Sequence, residues 1–412
     1  MKVSLAITNI AQLYDGVGKK PLADALVLIH HDSLAYVGPK AGAPDYRADE
    51  TYDAGGATAL PGLIDLHTHA LIDEETLGSF VRNGVTTIRD LGSDAFRAVR
   101  WKKMERAGKV VSPRIFASGP ILTCPGGYPD NVWGNNIAAP VRGRYHAQER
   151  VKKIVSMQLD VIKVGLEDEL GPCLSETEVR AVISQARESG VPSTVHLTSA
   201  TDFELALRSG LTEMAHVPAR PMPDDVWKEA VRQKVRIIPT LHAHSGWAEE
   251  WKRRKDHPFG HHCIKGFQQG YWQAIRNLEK FLSFGGEVLY GTDAGNPNLP
   301  FGASGAEFKD LMKTGLAMTA CLSMATSGAA AALGIGDRTG SLEKGKWADL
   351  ALYGEDPMKD PDDFKTIRMV FKAGIPVSPG PMALPVPFDL DFWISQYEKT
   401  GFKPKVWSEE KT

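Results

Sequence analysis

The sequence predicts an α/β protein in which a (β/α)8 TIM barrel carries a small β-sandwich domain built from both chain termini. In the middle of the chain, eight short apolar runs alternate with amphipathic stretches over roughly 250 residues, the size of such a barrel. Strands that alternate with helices in this way form parallel βαβ units. Both chain ends instead show short apolar segments between turn dipeptides. We therefore expect the barrel at 58–344 and the composite β-sandwich at 1–57 and 345–412.

The eight apolar runs are interpreted as the strands of the barrel, and they lie at 63–67, 85–90, 113–118, 159–164, 192–197, 211–217, 235–241 and 286–293. The connecting segments are predicted to be helices, and the pattern is clearest between the fourth and fifth strands. Ser175 and Glu178 form a capping-box pattern there. Apolar residues follow at helical spacing, and Gly190 marks the end of the helix.

The two chain ends contain the segments that predict the β-sandwich. VSLAITNI, ALVLIH and SLAYVG lie within 1–57, and similar segments return at 348–354 and 367–377. Turn dipeptides such as Asp-Gly and Gly-Pro separate the first three segments, which is typical of short antiparallel strands. The tail after Val377 is rich in proline and aromatic residues, and we assign no element to it.

Composition narrows the class of protein. The chain has 412 residues, with 48 basic and 50 acidic side chains and a formal net charge of −2, so no broad basic field attracts nucleic acid or an anionic membrane. No apolar run approaches the ~20 residues of a membrane span, and MKVSLAITNI lacks the features of a signal peptide. The four cysteines are scattered, as reduced thiols of intracellular proteins are. We expect a cytoplasmic protein that acts on a small molecule, without a nucleic-acid or membrane partner.

Residues that can bind metals follow the predicted strands at their C-terminal ends. In LPGLIDLHTHA, residues 60–70, two histidines share one face of a strand end, because side chains two apart point the same way. In a (β/α)8 barrel these strand ends meet at one mouth. Each residue alone has an ordinary structural explanation, as a core histidine, a surface lysine or a turn-capping aspartate. Together, six of them at the ends of five strands predict a metal centre: His67, His69, Lys163, His196, His216 and Asp293.

Six motifs make the chain similar to the amidohydrolase superfamily, and in particular to imidazolonepropionase-related hydrolases and Xaa-Pro dipeptidases. The motifs span nearly the whole chain and are PGLIDLHTH, GVTTIRDLG, DVIKV, VHLTSA, YGTDAG and GSLEKGKWADLALYGEDP. The resemblance implies that His67, His69 and Asp293 bind one metal ion. It implies that His196 and His216 bind a second ion, and that the protein is a homo-oligomer.

The resemblance assigns Lys163 to the bridge between the two ions, after carboxylation of its amine by carbon dioxide. An ammonium group cannot bind a cation, whereas a neutral amine reacts with carbon dioxide to give a carbamate with one oxygen for each ion. A partly buried lysine has a lowered pKa, which favours the neutral amine. Imidazole and carboxylate ligands in this combination favour two zinc ions, with manganese, cobalt or iron as alternatives.

The expected activity is hydrolysis of a C–N amide bond. Two divalent ions lower the pKa of a bridging water toward ~7, so that hydroxide attacks the carbonyl carbon. Asp293 is expected to act as general base toward the water and then as general acid toward the leaving nitrogen. The G-x-S-x-G motif of a serine nucleophile is absent from the sequence. Dipeptides, N-acyl compounds, cyclic amides and carbamates are the candidate substrates.

Two loops at the predicted mouth are expected to select the substrate. Tyr128 lies in the loop at about 120–146, and His242 belongs to LHAHSGW after the seventh strand. We predict that both bind substrate, and the aromatic residues nearby favour a substrate with an apolar or aromatic part. Dipeptidase-like members often have histidine after two glycines in the first loop, and this chain has Tyr128 there. They often have Glu-His-Gly at the sixth strand, and this chain has Met-Ala-His-Val around His216. These departures put a dipeptide substrate in doubt.

Three alternative functions remain open at this point. A mononuclear aminohydrolase (deaminase) would usually lack the bridging Lys163, and the number of ions per chain distinguishes it. A lactonase or phosphotriesterase would direct the same hydroxide at C–O or P–O bonds. A non-catalytic scaffold would keep the barrel without the site, whereas this sequence retains all six candidate ligands.

Overall fold

The computed structural model describes residues 1–18, 20–130, 137–258, 260–386, 389–392 and 394–395. The strands in this part of the chain are β1 (Lys2–Leu13), β2 (Leu22–His30), β3 (Ser33–Pro39), β4 (Arg47–Pro61), β5 (Leu63–Thr68), β6 (Val85–Asp90), β7 (Arg114–Ala117), β8 (Ile121–Thr123), β9 (Ala138–Pro140), β10 (Ile162–Gly165), β11 (Ser193–His196), β12 (Glu213–Ala215), β13 (Arg236–Ile238), β14 (Glu287–Val288), β15 (Leu350–Tyr353), β16 (Ile367–Lys372) and β17 (Ile375–Val377). The helices are α1 (Glu74–Arg82), α2 (Ala95–Arg106), α3 (Arg144–Ser156), α4 (Glu176–Glu188), α5 (Ala200–Arg208), α6 (Asp224–Arg232), α7 (His242–Lys252), α8 (Gly260–Ser283), α9 (Ala306–Met312), α10 (Met318–Met324) and α11 (Ser327–Ala332). Short 3-10 turns occur at Lys40–Gly42 and Pro361–Thr366.

Strands from both chain ends share one mixed sheet, in the order β17-β16-β15-β4-β1-β2-β3. β4 joins the two ends, because it pairs in parallel with β1 and antiparallel with β15. Apolar side chains of β1 enter two separate core clusters, with Ile7 and Ile10 in one and Val3 and Ala6 in the other. The β-sandwich and the domain boundaries stay predictions, and 396–412 lie outside the described residues.

The middle of the chain forms two parallel sheets, one in the order β14-β13-β12-β11-β10-β8-β9 and one in the order β5-β6-β7. Backbone hydrogen bonds connect the short sheet to the long one on both sides. The Leu66 amide donates to the Tyr290 carbonyl at 3.2 Å, and the Asp160 amide donates to the Ala117 carbonyl at 2.8 Å. The arrangement is the parallel α/β fold that the sequence predicts, and its C-terminal strand ends lie at one edge.

Two short strands lie where the sequence predicts a loop. β8 and β9 both fall in the segment 120–146, and β8 pairs in parallel with β10 as well as with β9. At the other end of the sheet, β14 covers two residues of the predicted strand 286–293. Strands of two or three residues are too short for an alternating pattern to show, so neighbouring strands rather than local sequence determine them.

In α1, α2, α4 and α5, a side chain before the helix accepts a hydrogen bond from an amide group of the first turn. Ser175 and Glu178 form the predicted capping box at the start of α4. The Asp73 carboxylate accepts from the Thr76 amide at the start of α1, and the Ser199 hydroxyl accepts from the Asp202 amide at α5. These helices pack apolar faces on the parallel sheets, with Leu77, Val182 and Phe203 in the main core. Among the helices of the described residues, none is long and apolar enough to cross a membrane.

A buried ion pair connects the short parallel sheet to the long one. The Arg89 guanidinium on β6 donates to the Glu213 carboxylate on β12 at 2.7 Å and to the Leu66 carbonyl at 2.8 Å. Both charged side chains are almost inaccessible to solvent, and Arg236 lies 3.6 Å from the same carboxylate. Removing one partner of such a pair leaves a charge in a medium that solvates it poorly.

We therefore expect Arg89→Met to lower the free energy of unfolding by about 3 kcal/mol, because Glu213 loses its main partner. Urea-induced unfolding followed by circular dichroism measures the change. Arg89→Met combined with Glu213→Leu should recover part of the loss, since no unpaired charge remains. Arg232→Met, which breaks the exposed pair between Arg232 and Glu229, is the control and should have little effect. An unchanged unfolding midpoint for Arg89→Met would show that the buried pair does not hold the sheets together.

Candidate metal centre

Three candidate ligands meet where β5 ends and the segment after β14 begins. His67 Nε2 lies 3.3 Å from Asp293 Oδ1, and His69 Nε2 lies 3.2 Å from the same oxygen. One ligand atom from each of these residues lies within 4.8 Å of the others, which is close enough for a single ion. His67 and His69 are two residues apart at one strand end. Because strand side chains alternate, both histidines project to the same face.

Asp65 fixes the backbone on both sides of this group. Its Oδ1 accepts from the His67 amide at 3.1 Å and from the Thr292 amide at 3.1 Å, and its Oδ2 accepts from the Thr292 hydroxyl at 2.6 Å. Burial raises the pKa of Asp65 to about 7, although these hydrogen bonds oppose the rise. The side chain thereby ties the end of β5 to the residue before Asp293.

Gly291 allows the two segments to approach each other. A Cβ at this position would lie 2.5 Å from Ile238 Cγ2 and 2.9 Å from His67 Cβ, both closer than packed carbon atoms come. A larger residue would push Asp293, two positions later, away from the histidine. The glycine in YGTDAG therefore has a packing reason that is independent of chemistry.

Three residues that follow strands at this edge have a left-handed backbone conformation. His216, Thr240 and Asp293 have positive φ angles of 73°, 46° and 63°. Side chains other than glycine seldom adopt this left-handed region, and a β-branched threonine does so least readily. The hydroxyl of Thr240 lies 2.6 Å from His216 Nδ1, so that Nε2 is the ring nitrogen left for a metal.

Lys163 lies inside the same group. Its Nζ is 3.4 Å from His67 Nε2, and the side chain is almost completely buried. Burial lowers the pKa of Lys163 from 10.5 to about 7, and the nearby Asp293 carboxylate only partly opposes this. A large share of the amine is therefore neutral near pH 7.

The histidine rings form a continuous row. Ring centroids are 5.4 Å apart for His69 and His67, 4.9 Å for His67 and His216, and 4.5 Å for His216 and His196. Burial lowers the pKa of three of them, His67, His196 and His216, well below 6.5. Neutral imidazole is the form that binds metal ions.

The residues present fit a divalent metal. His67 Nδ1 is buried without a hydrogen-bond partner among the described residues, while Nε2 faces Asp293 and Lys163. Neutral imidazoles, one carboxylate and a lysine able to lose its proton are ligands, or precursors of ligands, for zinc and similar ions. The structure thus brings all six predicted residues to one region of the edge.

The two predicted substrate-binding residues have different surroundings. The Tyr128 ring stacks on the His196 ring, with centroids 4.5 Å apart and planes 25° from parallel. His242 is half-buried and its Nδ1 lies 2.9 Å from Asp310 Oδ2 on α9. The His242 amide also donates to the Glu307 carboxylate at 2.8 Å. Tyr128 therefore lies beside a candidate ligand, and His242 is held by α9.

Three residues near this group were not predicted from the sequence: Asp65, Glu167 and His244. Asp65 lies within PGLIDLHTH, so its place two residues before His67 was a usable signal. Glu167 follows β10, and its Oε2 lies 3.3 Å from His196 Nε2. Burial lowers the pKa of His244 to about 4, with Asp293 opposing, and His244 lines a cavity of about 120 Å³ between α7 and α8.

Comparison with known proteins identifies the family of the chain. The model of the amidohydrolase family matches residues 58–377, well over half of the chain. An imidazolonepropionase from Arthrobacter sp. (strain FB24) is 38% identical over 79 residues, which is 19% of each chain. The first curated relatives are thus matched over only about a fifth of their length. An imidazolonepropionase from Agrobacterium fabrum (strain C58 / ATCC 33970) is 23% identical over 401 residues, covering 85% of this chain and 88% of the relative.

Solved structures show the likeness in fold. A Xaa-Pro dipeptidase with bound methionine in its active site has a TM-score of 0.79 at 23% identity, covering 91% of this chain and 99% of that one. A putative prolidase from Bifidobacterium longum has a TM-score of 0.78 at 23% identity, covering 96% and 98%. The family match, which spans the candidate metal centre, shows that the chain belongs to the amidohydrolase family.

Proposed function

We propose that the protein is a binuclear metal-dependent hydrolase that cleaves a C–N amide bond in a small molecule. The observation that carries the proposal is the convergence of the strand-end residues, with His67 and His69 on one carboxylate oxygen and Lys163 3.4 Å from His67. Family membership supports hydrolysis and dependence on metal. The proposal extends this to two ions, a defined set of ligands and a role for Asp293.

The ligand set divides into two groups. His67, His69 and Asp293 would hold one ion, and His196 and His216 would hold a second. Divalent ions bound there, most suitably zinc, would act as Lewis acids and lower the pKa of a bound water to near 7. The chain contributes neutral imidazoles, since burial lowers the pKa of three of these histidines.

Lys163 is proposed to bridge the ions as a carbamate. Its neutral amine would attack the carbon of carbon dioxide. A new N–C bond would form as the electron pair of one C=O π bond moves onto oxygen, and one proton would pass from the nitrogen to solvent water. The reaction needs the neutral amine, and burial lowers the pKa of Lys163 to about 7. The product is anionic with two oxygens, which suits a position between two cations. The presence of Lys163 also argues against the one-metal deaminase alternative, which would usually lack the bridging lysine.

Asp293 is proposed to move the proton. Burial alone would raise the pKa of its carboxyl, but the hydrogen bond from His69, supported by the neighbouring basic side chains, holds the pKa below its usual value. The group is therefore an anion that can accept a proton from the attacking water. Having accepted it, the carboxyl group can deliver it to the leaving nitrogen.

The substrate is proposed to carry one apolar or aromatic group. The cavity of about 120 Å³ between α7 and α8 has His244 in its wall, together with Phe267, Tyr271 and Trp272. Aromatic side chains in such a wall favour a planar apolar group, which can stack on them. Imidazolonepropionase and Xaa-Pro dipeptidase relatives keep cyclic amides and dipeptides among the candidates, beside N-acyl compounds and carbamates.

We further infer that the two parallel sheets close into the predicted (β/α)8 barrel and that the terminal strands form a β-sandwich domain, with boundaries at 1–57, 58–344 and 345–412. The hydrogen bonds between the two parallel sheets support closure, and the shared terminal sheet supports the composite domain. A homo-oligomer that acts on a small molecule, without nucleic acid or a membrane, remains part of the proposal.

Asp293→Asn should keep most of the bound metal and lose turnover. The asparagine side-chain amide keeps one oxygen at the same place but cannot accept the proton of the attacking water, so kcat should fall by at least ~10²-fold. Metal analysis of the purified variant and a steady-state assay measure the two effects. Asp337→Asn, at an exposed aspartate, is the control and should match the wild type. A near-normal kcat for Asp293→Asn would remove the proton-transfer role.

Metal binding should depend on carbon dioxide. Protein stripped with a chelator and reloaded with zinc should bind two ions per chain in bicarbonate buffer and fewer in carbon-dioxide-free buffer. Lys163→Met should bind fewer ions in both buffers, because it cannot form the carbamate. Lys152→Met, at an exposed lysine, is the control. Equal zinc content of the wild type in both buffers would contradict carboxylation.

A panel of amides, dipeptides and carbamates, each with a methyl or a phenyl substituent, tests the substrate class. The phenyl member of the best pair should be preferred. Trp272→Ala should raise KM for that phenyl substrate by roughly 3- to 10-fold, the range expected for losing one aromatic contact, and leave the methyl substrate unchanged. Phe96→Ala, at an exposed aromatic residue on α2, is the control. Equal effects on both substrates would place the apolar group elsewhere.

A further inference from the structure

The C-terminal segment is tied to the rest of the protein at two places, and its described residues are 378–386, 389–392 and 394–395. The Ala383 carbonyl accepts from the Phe301 amide at 3.0 Å, and the Ala383 amide donates to the Ser79 hydroxyl at 2.8 Å. Farther along, the Arg254 guanidinium donates to both carboxylate oxygens of Asp391, at 3.2 and 3.0 Å. Polar contacts therefore hold the segment at Ala383 and again at Asp391.

Two apolar residues of the C-terminal segment belong to a small buried cluster. Leu390 and Ile394 are four residues apart, which is the spacing of one helical face. They are 1% and 5% exposed and pack with Trp251 on α7 and Cys263 on α8. Phe392 lies between them in the sequence and is 49% exposed. One face of the segment is therefore buried against α7 and α8, and the other faces solvent.

The same cluster reaches the residue that stacks on a candidate metal ligand. Tyr128 and Leu170, from the loops after β8 and β10, pack against the cluster. The Tyr128 ring stacks on the His196 ring with centroids 4.5 Å apart. The Tyr128 carbonyl also lies so close to β10 that a Cβ at Gly165 would be 2.6 Å from it. Both β10 and the apolar cluster therefore limit where Tyr128 can lie.

The cluster also reaches the cavity between α7 and α8. Phe267 packs against the cluster and lines this cavity together with Trp272. The Phe267 ring stacks on Trp247, with centroids 6.0 Å apart and planes 11° from parallel. Because packed interiors transmit strain between neighbouring side chains, loss of the apolar side chains of the C-terminal segment would leave Phe267 and Tyr128 without part of their support.

We propose that Leu390 and Ile394 are positioning residues that hold Tyr128 beside His196 and Phe267 in the cavity wall, and thereby select a substrate with an apolar group. The inference rests on the proposed function, because it takes the cavity between α7 and α8 as the place where that group binds. The candidate metal ligands belong to the strand ends. Loss of the packing of the C-terminal segment should therefore change substrate affinity and leave metal content unchanged.

Leu390→Ala combined with Ile394→Ala tests the proposal in kinetics, with Phe392→Ala as the matched control on the exposed face. The double variant should raise KM for the phenyl substrate by roughly 3- to 10-fold, as for the loss of an aromatic contact. KM and kcat for the methyl substrate, and the zinc content, should stay at the wild-type values. Phe392→Ala should match the wild type for both substrates. An unchanged KM ratio in the double variant, where Trp272→Ala alters that ratio, would overturn the proposal.

Arg254→Gln provides a second variant that leaves the apolar cluster intact. It removes both hydrogen bonds to Asp391 from a half-exposed position. KM for the phenyl substrate should rise by a smaller factor than in the double variant, with the methyl substrate again unaffected. If the double variant does not fold, a wild-type KM ratio in Arg254→Gln would contradict the proposal.

Hydrogen exchange followed by mass spectrometry tests the packing without any substrate. In the double variant, amide exchange should become faster at 121–130 and 260–271, which contain Tyr128 and Phe267, and stay unchanged at 193–196 in β11. Faster exchange in β11 as well, together with loss of zinc, would show a purely structural role and overturn the proposal. If the wild type hydrolyses no amide while the exchange changes stay local, the proposed function fails, and the packing of Leu390 and Ile394 on Tyr128 and Phe267 is still supported.

Discussion

The burial of basic side chains around one carboxylate is the constraint on which this site depends. Lys163, His67, His196 and His216 lie where water is excluded, so that their charged forms are unfavourable. Desolvation therefore prepares neutral nitrogen atoms with available lone pairs at the edge of the sheet. The pKa of Asp293 stays below its usual value among them, because the hydrogen bond from His69 opposes the effect of its own desolvation. A cation bound there would meet neutral donors and one anion, and would compete with few protons.

The backbone around the site is arranged at some energetic expense. Thr240, His216 and Asp293 hold left-handed conformations, which cost of order 1–3 kcal/mol each for non-glycine residues in sparsely populated regions, and less for an aspartate. These conformations persist because surrounding contacts determine them. Asp65 binds the backbone on both sides of the site, and Gly291 lets β5 lie against the following segment. The same buried carboxylate that joins the two segments thus also sets where the ligand atoms of His67 and Asp293 meet.

The predictable part of the fold and the site rests on local periodicity. His67 and His69 share a face because strand side chains alternate, and the capping box of α4 is defined by two residues three apart. β8 and β9 could not be predicted, since three residues carry no period and their pairing depends on β10. Glu167 was missed for a related reason: it lies beyond the strand, and only the turn of the backbone after β10 brings it to His196. The stacking of Tyr128 on that ring likewise depends on a loop whose path the sequence does not specify.

An apolar cluster beside the candidate metal centre contains residues that are far apart in the chain. Leu390 and Ile394, in the tail to which the sequence assigned no element, pack with Trp251 and Cys263, and Tyr128 and Phe267 pack against this cluster. The cluster therefore links the residue that stacks on His196 to the aromatic wall of the cavity near His244. The candidate metal ligands lie at strand ends, where the sheet limits their movement. The residues of the apolar cluster and of the cavity lie on loops and helices outside the sheet. If the proposed function holds, changes in these loops and helices could alter which substrate binds without displacing a candidate ligand atom. Under the proposed function, the metal chemistry would depend on the sheet, and the choice of substrate would depend on the packing of α7, α8 and the C-terminal segment.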